Sequence, residues 1–377
     1  MKISKGIGPK VLKTALYGLF LFFVVFILLE IFLRVYDPFK FRIQTNGITL
    51  PANQTTFIKN TLNPDLDSLI VNTKNSIGLR GPDTTIGYSN QVSIITVGGS
   101  ATRCHFLSDN KTWPFLLGEY LKKDFPDIWV NNAGFDGQST FGHQVLLEKY
   151  LVRLHPKVIT FLTGVNDIQS DGPSFFDKIY IKNAYPSFVQ YIYNNSEVIY
   201  TVVNIIRGGR TPKFDNTTQE LKMPGYQGEL IMTRDEINER LRSQEKYVES
   251  YKQRLVRLAE TCLQNNILPV FITQPCLYGY GRDSITGANL ATAKLEDGMN
   301  GELLLDILQL YNGKMKEVSI NKKIPCIDLA KLMPKNSLYY YDQTHFTNEG
   351  AEEVSRILQE KFKDMLGRYL SGHIPFE

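Results

Sequence analysis

The sequence predicts an α/β fold, a three-layer α/β/α sandwich with a parallel sheet, preceded by one transmembrane helix. Two observations predict the sandwich: short apolar runs alternate with segments of helical periodicity, and those runs are apolar on both sides, as in a buried parallel sheet. The predicted strands are 92–97, 129–130, 157–163, 268–273 and 324–329, and the predicted helices are 112–123, 142–154, 234–265 and 302–319. The order of the strands does not follow from the sequence.

The N-terminal residues predict a membrane anchor. Residues 14–33 are apolar apart from Glu30 and a few uncharged polar residues, and their length is about the 20 residues that a helix needs to cross a bilayer. Residues 1–13 carry lysines and no acid, which predicts a cytoplasmic tail and places the rest of the chain in the periplasm or outside the cell. Glu30 and Arg34 are spaced to pair on a helix. A cleavable signal peptide is the alternative, but bulky residues follow the apolar run where a cleavage site needs small ones.

The remainder divides into a connector and one large domain. Residues 34–90 are rich in Asn, Thr, Pro and Asp, and we expect an extracytoplasmic connector that packs on the domain. Residues 91–370 carry the alternating pattern of the domain itself. Within them, 169–233 break the periodicity and form an insertion, which starts after a predicted strand on the side where α/β sheets bind ligands. The sequence leaves open whether this insertion is a lid or a surface excursion.

Charge and cysteine content exclude several functional classes. The chain has 42 basic and 38 acidic residues, and the four lysines of residues 1–13 account for the whole excess. A domain without net charge does not predict a nucleic-acid partner. The four cysteines show no C-x-x-C spacing, so we expect no metal site and no cofactor. Disulfide pairing and oligomeric state stay open.

Ser100 is the candidate nucleophile. It follows Gly98 and Gly99 between the first predicted strand of the domain and a helix, where a hydroxyl is exposed at the sheet edge and backbone N–H groups favour negative charge. A serine at such a turn can also be an ordinary helix N-cap. As a nucleophile, its hydroxyl needs a base within hydrogen-bond reach.

His345 is the candidate base. It shares a short loop with an acid, Asp342, just before the last predicted helix, so one loop supplies both a base and a group to orient it. The other four histidines lack that context: His105, His143, His155 and His373. A turn in which Asp342 caps the final helix is compatible with the pattern, but it gives no reason for the histidine.

Four short blocks follow one another in an order and spacing that resemble the SGNH/GDSL hydrolase family: 98–100, 134–137, 164–167 and 342–345. Segments 75–81 and 273–275 resemble the exported, membrane-anchored branch of this family, in which the nucleophile block is Gly-Gly-Ser. The resemblance covers roughly residues 75–365. It implies a flavodoxin-like α/β/α fold and a Ser-His-Asp triad.

The resemblance also implies three donors for the substrate oxyanion: the Ser100 N–H, the Gly137 N–H and the Asn166 side-chain amide. Gly137 is chosen over Gly134 because it ends its block and is followed by a polar residue. One departure stands out, because Gly99 replaces the aspartate that gives the GDS motif its name. That aspartate is neither nucleophile nor base, so the departure leaves the implied chemistry intact.

The sequence therefore predicts a serine esterase that removes acyl groups, O-acetyl groups in the first place, from a cell-envelope or extracellular glycan. The glycan follows from the resemblance and from export, and a lipid ester is left open. An O-acetyltransferase with the same triad is the alternative, because hydrolysis and transfer share the acyl-serine step. A catalytically silent glycan-binding scaffold is a third interpretation.

Overall fold

The computed structural model describes residues 9–36, 50–60, 63–64, 66–83, 91–179, 191–192, 195–208, 213–215, 228–295 and 298–371. Its strands are β1 (Gln54–Lys59), β2 (Leu69–Lys74), β3 (Val92–Gly98), β4 (Ile128–Gly134), β5 (Val158–Thr163), β6 (Lys213–Asp215), β7 (Leu268–Thr273) and β8 (Cys326–Ile327). Its helices are α1 (Pro9–Tyr36), α2 (Ser100–Arg103), α3 (Trp113–Leu121), α4 (Thr140–Lys149), α5 (Phe175–Ile179), α6 (Glu197–Gly208), α7 (Arg234–Arg242), α8 (Glu245–Gln264), α9 (Gly301–Lys322), α10 (Leu329–Leu332) and α11 (Asn348–Leu370).

The central sheet is parallel, with the strand order β4-β3-β5-β7-β8 across the described residues. Numbered within the sheet, this is the flavodoxin-like order 2-1-3-4-5, in which the chain reverses direction on either side of the first strand. The carboxyl ends of β3, β4 and β5 therefore meet at one edge. The predicted fold class is confirmed, and the structure supplies the strand order that the sequence left open.

Consecutive apolar residues on the strands supply the cores on the two faces of the sheet. Ile94 and Ile95 are both fully buried on β3, and they belong to different clusters because neighbouring side chains on a strand point to opposite faces. The Ile94 cluster includes residues of α3 and α11, and the Ile95 cluster includes residues of α4, α8 and α9. Both faces of the sheet are covered, which is why the strands read as unbroken apolar runs.

Several predicted boundaries differ from those observed. Strand β4 runs through Asn131 and Asn132 to Gly134, beyond the predicted 129–130, because the two buried amides find partners: Asn131 Oδ1 accepts from the Asn75 side chain at 2.8 Å, and Asn132 Nδ2 donates to the Thr102 carbonyl at 2.7 Å. Larger differences elsewhere are the split of 234–265 into α7 and α8, the end of 142–154 as a 3-10 helix, and the shortening of 324–329 to β8. Periodicity located these elements but not their ends.

The connector contributes a second sheet. Strand β1 pairs antiparallel with β2 and parallel with β6, so the connector pairs with part of the predicted insertion. Arg80 joins the connector to the domain, because its buried guanidinium donates to the carbonyls of Arg103 and Cys104, each at 2.8 Å, and to Asp109 Oδ1 at 2.5 Å. Residues 180–190, 193–194, 209–212 and 216–227 of the insertion lie outside the described residues, so the lid hypothesis stays a prediction.

One helix among the described residues is long and apolar enough to cross a membrane. It spans Lys10–Tyr36, and an 18-residue window within it has a mean hydropathy of 2.7 and no buried residue. Its length and composition fit either a membrane anchor or a signal sequence. Near its end, Arg34 donates to Glu30 Oε1 at 2.8 Å, which is the pairing that their spacing predicts.

Candidate active site

Ser100 lies at the carboxyl end of β3, as the first residue of α2. Gly99 precedes the helix in extended conformation, and its carbonyl accepts hydrogen bonds from the Thr102 and Arg103 amides. Gly98 permits this tight turn, because a Cβ there would lie 2.1 Å from Thr102 Oγ1. The Ser100 amide is at the start of a helix, where an N–H group has no helical partner.

The structure brings Ser100, His345 and Asp342 together. His345 Nε2 lies 2.6 Å from Ser100 Oγ, and His345 Nδ1 lies 2.5 Å from Asp342 Oδ2. The second oxygen of Asp342 accepts the backbone N–H groups of Thr344 and His345, both at 2.8 Å. The loop therefore fixes the carboxylate with its own amides and leaves one oxygen for the imidazole.

The charges in this cluster set the pKa values of its members. Burial is the largest effect on His345 and would lower its pKa, but the Asp342 carboxylate and its hydrogen bond outweigh burial, with Asp136 adding to them, and the pKa is raised above its ordinary value. For Asp342, burial acts to raise the pKa, and the His345 charge with the three hydrogen bonds lowers it overall. Each group thus stabilises the charged form of the other.

Asn166 lies beside the turn that carries Ser100. Its side-chain Nδ2 would be only 2.3 Å from a Cβ at Gly99, and it donates to the Gln138 carbonyl at 3.0 Å. An amide has two hydrogens, so the second is available to another acceptor. The glycine that departs from the GDS pattern is therefore the residue that makes room for Asn166.

The neighbouring Asp167 holds the Asn166 turn in place. Its side chain is fully buried and accepts from Thr163 Oγ1 at 3.0 Å, from the Thr140 N–H at 3.1 Å and from Arg254 at 3.2 Å. A buried carboxylate is stable only with such partners. Sequence reasoning assigned Asp167 to the third block without giving it a function, and the structure makes it the anchor of that block.

Gly137 and Gly134 occupy different places. Gly134 ends β4 against α2, where a Cβ would lie 2.4 Å from the Arg103 amide nitrogen. Gly137 has φ +64 in the loop beyond, and a Cβ there would lie 2.5 Å from the ring of Phe176. The next residue, Gln138, brings the loop back to Asn166 through its carbonyl.

Phe176 and Asp177 on α5 are residues beside the site that sequence reasoning missed. Asp177 is buried and accepts from the Ser139 amide at 2.8 Å, the Ser139 hydroxyl at 2.9 Å and the Gly142 amide at 3.1 Å, which clamps α5 to the start of α4. A signal was available: Ser174 and Asp177 bond to each other's backbone N–H groups, the reciprocal pattern of a capping box. Phe176 is thereby held against Gly137.

The other histidines lie elsewhere. His143 is fully buried within α4, and burial lowers its pKa. His155 follows a 3-10 helix with φ 46, and the ring of His105 packs edge-on against Phe106. His373 lies outside the described residues. Among the described histidines, His345 is the one that contacts Ser100.

The chain matches the model of a known protein family. Residues 93–353 match the family model described as the GDSL-like lipase/acylhydrolase family. The chain belongs to this family. The matched segment starts in β3, ends in α11 and includes Ser100, Asn166, Asp342 and His345. Membership of this family supports an enzyme that hydrolyses ester bonds.

Solved structures of the GDSL-like lipase/acylhydrolase family and of acetyl xylan esterases are among the structural neighbours. The acetylxylan esterase Axe2 from Geobacillus stearothermophilus is 12% identical, covers 71% of this chain and 93% of its own, and has a TM-score of 0.40. The acetyl xylan esterase AlAXEase is 12% identical, covers 72% of this chain and 99% of its own, and has a TM-score of 0.41. A GDSL-like lipase from Bacteroides thetaiotaomicron is 12% identical, covers 75% of this chain and 93% of its own, and has a TM-score of 0.38. No curated protein shows a significant match.

Proposed function

We propose that the chain is a serine esterase that removes acyl groups, O-acetyl groups in the first place, from a cell-envelope or extracellular glycan through an acyl-Ser100 intermediate. The observation that carries the proposal is the hydrogen-bonded line from Ser100 Oγ through His345 to Asp342, at 2.6 and 2.5 Å. Acyl transfer by a serine requires a nucleophile, a base and an orienting acid in this order, and the contacts support that assignment.

The first half of the reaction forms the acyl-enzyme. Ser100 Oγ attacks the ester carbonyl carbon while His345 Nε2 takes the hydroxyl proton, and the carbonyl oxygen becomes an oxyanion. When the tetrahedral intermediate collapses, the bond to the sugar oxygen breaks and His345 returns the proton to that oxygen. Water repeats the sequence on the acyl-serine, releasing the acid and restoring the Ser100 hydroxyl.

Asp342 acts through His345. With Nδ1 bound to the carboxylate, the neutral imidazole keeps its lone pair on Nε2, facing Ser100, and the cation formed in each half-reaction is stabilised by the adjacent negative charge. The raised pKa of His345 expresses this stabilisation.

The oxyanion is assigned to the Ser100 N–H, the Gly137 N–H and the Asn166 amide. The three residues follow β3, β4 and β5, whose carboxyl ends lie side by side in the sheet, and this supports the assignment. Removing one donor of this kind costs about 3 kcal/mol of transition-state stabilisation. Backbone donors need no reorganisation during the reaction, because the fold already fixes them.

The proposed location is the outer face of a membrane. Helix α1 serves as an uncleaved anchor, with residues 1–13 in the cytoplasm and the catalytic domain in the periplasm or outside the cell. The apolar helix and the lysines before it support this orientation. A glycan of the envelope is the acylated polymer that such an enzyme meets, which is why we favour it over a soluble small ester.

Acetate release from defined substrates tests the proposal. The full-length protein in detergent micelles is given O-acetylated polysaccharides, long-chain lipid esters and a free sugar acceptor, with Ser100→Ala beside the exposed-loop control Ser284→Ala. We expect free acetate from the polysaccharides, lost in Ser100→Ala and kept in Ser284→Ala. Turnover of lipid esters alone contradicts the glycan substrate, and acetyl appearing on the acceptor in place of free acetate identifies an O-acetyltransferase.

A further inference from the structure

The outer end of α1 holds the start of α6. Glu30 Oε1 accepts the Glu197 N–H at 2.9 Å, and Glu30 Oε2 accepts the Val198 N–H at 3.1 Å and the Ser196 hydroxyl at 2.9 Å. The first N–H groups of a helix have no helical partner, and a carboxylate also complements the positive end of the helix dipole. Glu30 thus caps a helix 167 residues further along the chain.

Arg34 completes this contact from the next turn of α1. Its guanidinium donates to Glu30 Oε1 at 2.8 Å and to the Asn195 carbonyl at 2.8 Å. The Glu30 side chain is only 17% exposed, although it sits on a helix whose apolar neighbours are largely uncovered. An ion pair at the end of an apolar helix is therefore used to hold the insertion.

The insertion is unusually aromatic beside this contact. Residues 175–200 include eight Phe or Tyr among 26 residues, whereas the whole chain is 12% aromatic. Of the described apolar side chains in the insertion, several are open to solvent: Phe175 at 73%, Phe176 at 47%, Tyr191 at 66%, Val202 at 46% and Ile231 at 80%. Aromatic side chains are enriched at the level of lipid headgroups, where one end meets the acyl chains and the other meets water.

The same segment is fastened to the candidate active site at its other end. Asp177 clamps α5 to Ser139 and Gly142, and Phe176 lies against Gly137. The insertion thus has one attachment beside the site and one at the outer end of α1. Asp177 and Ser196 are 19 positions apart in sequence, so a short length of chain ties the site to the apolar helix.

We propose that residues 175–179, 191–192 and 195–208, together called the membrane seat, lie in the interfacial layer of a phospholipid bilayer next to α1 and hold the mouth of the Ser100 site at the membrane surface. The inference rests on the proposed anchoring by α1. Lipid is the occupant because the seat contacts α1 at Glu30, near the end of the membrane-spanning segment, which places this contact at interfacial depth. The exposed Val202 lies on the helix that begins at this contact, so it is at a similar depth. An acylated glycan within reach of the bilayer is then the substrate that this placement favours.

Quenching by lipid tests the membrane seat. The full chain is reconstituted in nanodiscs of phosphatidylcholine, with or without bromine on the acyl chains, and a tryptophan is introduced as Val202→Trp. The native Trp113 and Trp129 are 0% and 3% exposed and give the background. Leu21→Trp on α1 is the lipid-facing control, and Leu263→Trp on α8, with 44% exposure in the parent residue against 46% at Val202, is the matched surface control.

We expect brominated lipid to quench Val202→Trp nearly as strongly as Leu21→Trp while Leu263→Trp keeps its emission. Adding Glu30→Ala to Val202→Trp should lower this quenching, and Glu30→Gln, which keeps an accepting oxygen, should lower it less. If Leu21→Trp is quenched and Val202→Trp behaves like Leu263→Trp, the seat is refuted and the anchor stands. If neither is quenched, the anchor and the seat both fall.

Discussion

The amide of Asn166 occupies the space that a side chain on Gly99 would need. Nδ2 lies 2.3 Å from the position of a Cβ at Gly99, far inside van der Waals contact. The φ of Gly99 is −80°, which any residue adopts, so close approach and not backbone freedom requires the glycine. A glycine replaces the aspartate of the GDS motif at position 99 because the Asn166 amide fills the space that a side chain there would need.

Gly99→Ala should therefore act through Asn166. We expect Asn166→Ala to lower kcat on a small acetyl ester by about 10²- to 10³-fold, as loss of one oxyanion donor does. Gly99→Ala pushes the amide aside and should cost a similar factor, and the double variant should lose little more than either single one. Gly313→Ala, where no atom lies near the added methyl group, is the matched control and should keep wild-type activity. Full additivity of the two losses contradicts the coupling.

The two partners of Ser100 should differ in the size of their effect. His345→Ala removes the base and should lower kcat by about 10⁶-fold, whereas Asp342→Asn keeps a hydrogen-bonding group of the same size but favours the wrong tautomer, at a cost of about 10⁴-fold. Circular dichroism of both variants checks that they fold. Wild-type rates in both would refute the assigned roles.

The pH profile should show the raised pKa of His345. The base works only when neutral, so kcat/KM should fall as pH drops through that pKa, above its ordinary value of about 6.5. Asp342→Asn removes the charge that stabilises the cation, so the pKa falls and the acidic limb moves to lower pH. Asp136→Asn should move the limb the same way by less, because its contribution to the shift is the smaller one. A limb unmoved in Asp342→Asn contradicts this electrostatic account.

The fold could be predicted further than the site. Runs such as 268–273 identified the buried strands because a strand covered on both faces of a parallel sheet is apolar on both sides. Strand order was not predicted, because it depends on packing between elements far apart in sequence. The polar end of β4 was missed, since Asn131 and Asn132 are buried only because Asn75 and the Thr102 carbonyl satisfy them. No local pattern contains those distant partners.

At the site, the sequence predicted contacts between residues of the same loop but not contacts between separate elements. Asp342 and His345 lie three residues apart, so their pairing followed from spacing. The packing of Phe176 on Gly137 and the capping of α6 by Glu30 join residues from separate elements, and only the folded chain brings them together. The Glu30 and Arg34 pair was predicted, but its contact with the insertion was not.

Stability should depend on Arg254. Its guanidinium is the charged partner of the buried Asp167, and it stacks on Phe141 at 4.0 Å. Arg254→Ala leaves a carboxylate buried without its counter-charge, which should lower the free energy of unfolding by about 3 kcal/mol. Arg257→Ala, exposed and one turn later on α8, should change it by less than about 0.5 kcal/mol. Chemical denaturation in detergent compares the two, and equal midpoints would contradict a stabilising role for this pair.

Labelling with a fluorophosphonate probe tests whether Ser100 is an activated nucleophile, because the probe reacts with a serine only when a base activates it. The full-length protein is labelled and the adduct is located by mass spectrometry, with Ser100→Ala and Ser284→Ala beside it. We expect one adduct, on Ser100, which is absent from Ser100→Ala and undiminished in Ser284→Ala. No labelling of the wild type, or labelling that persists in Ser100→Ala, would contradict it.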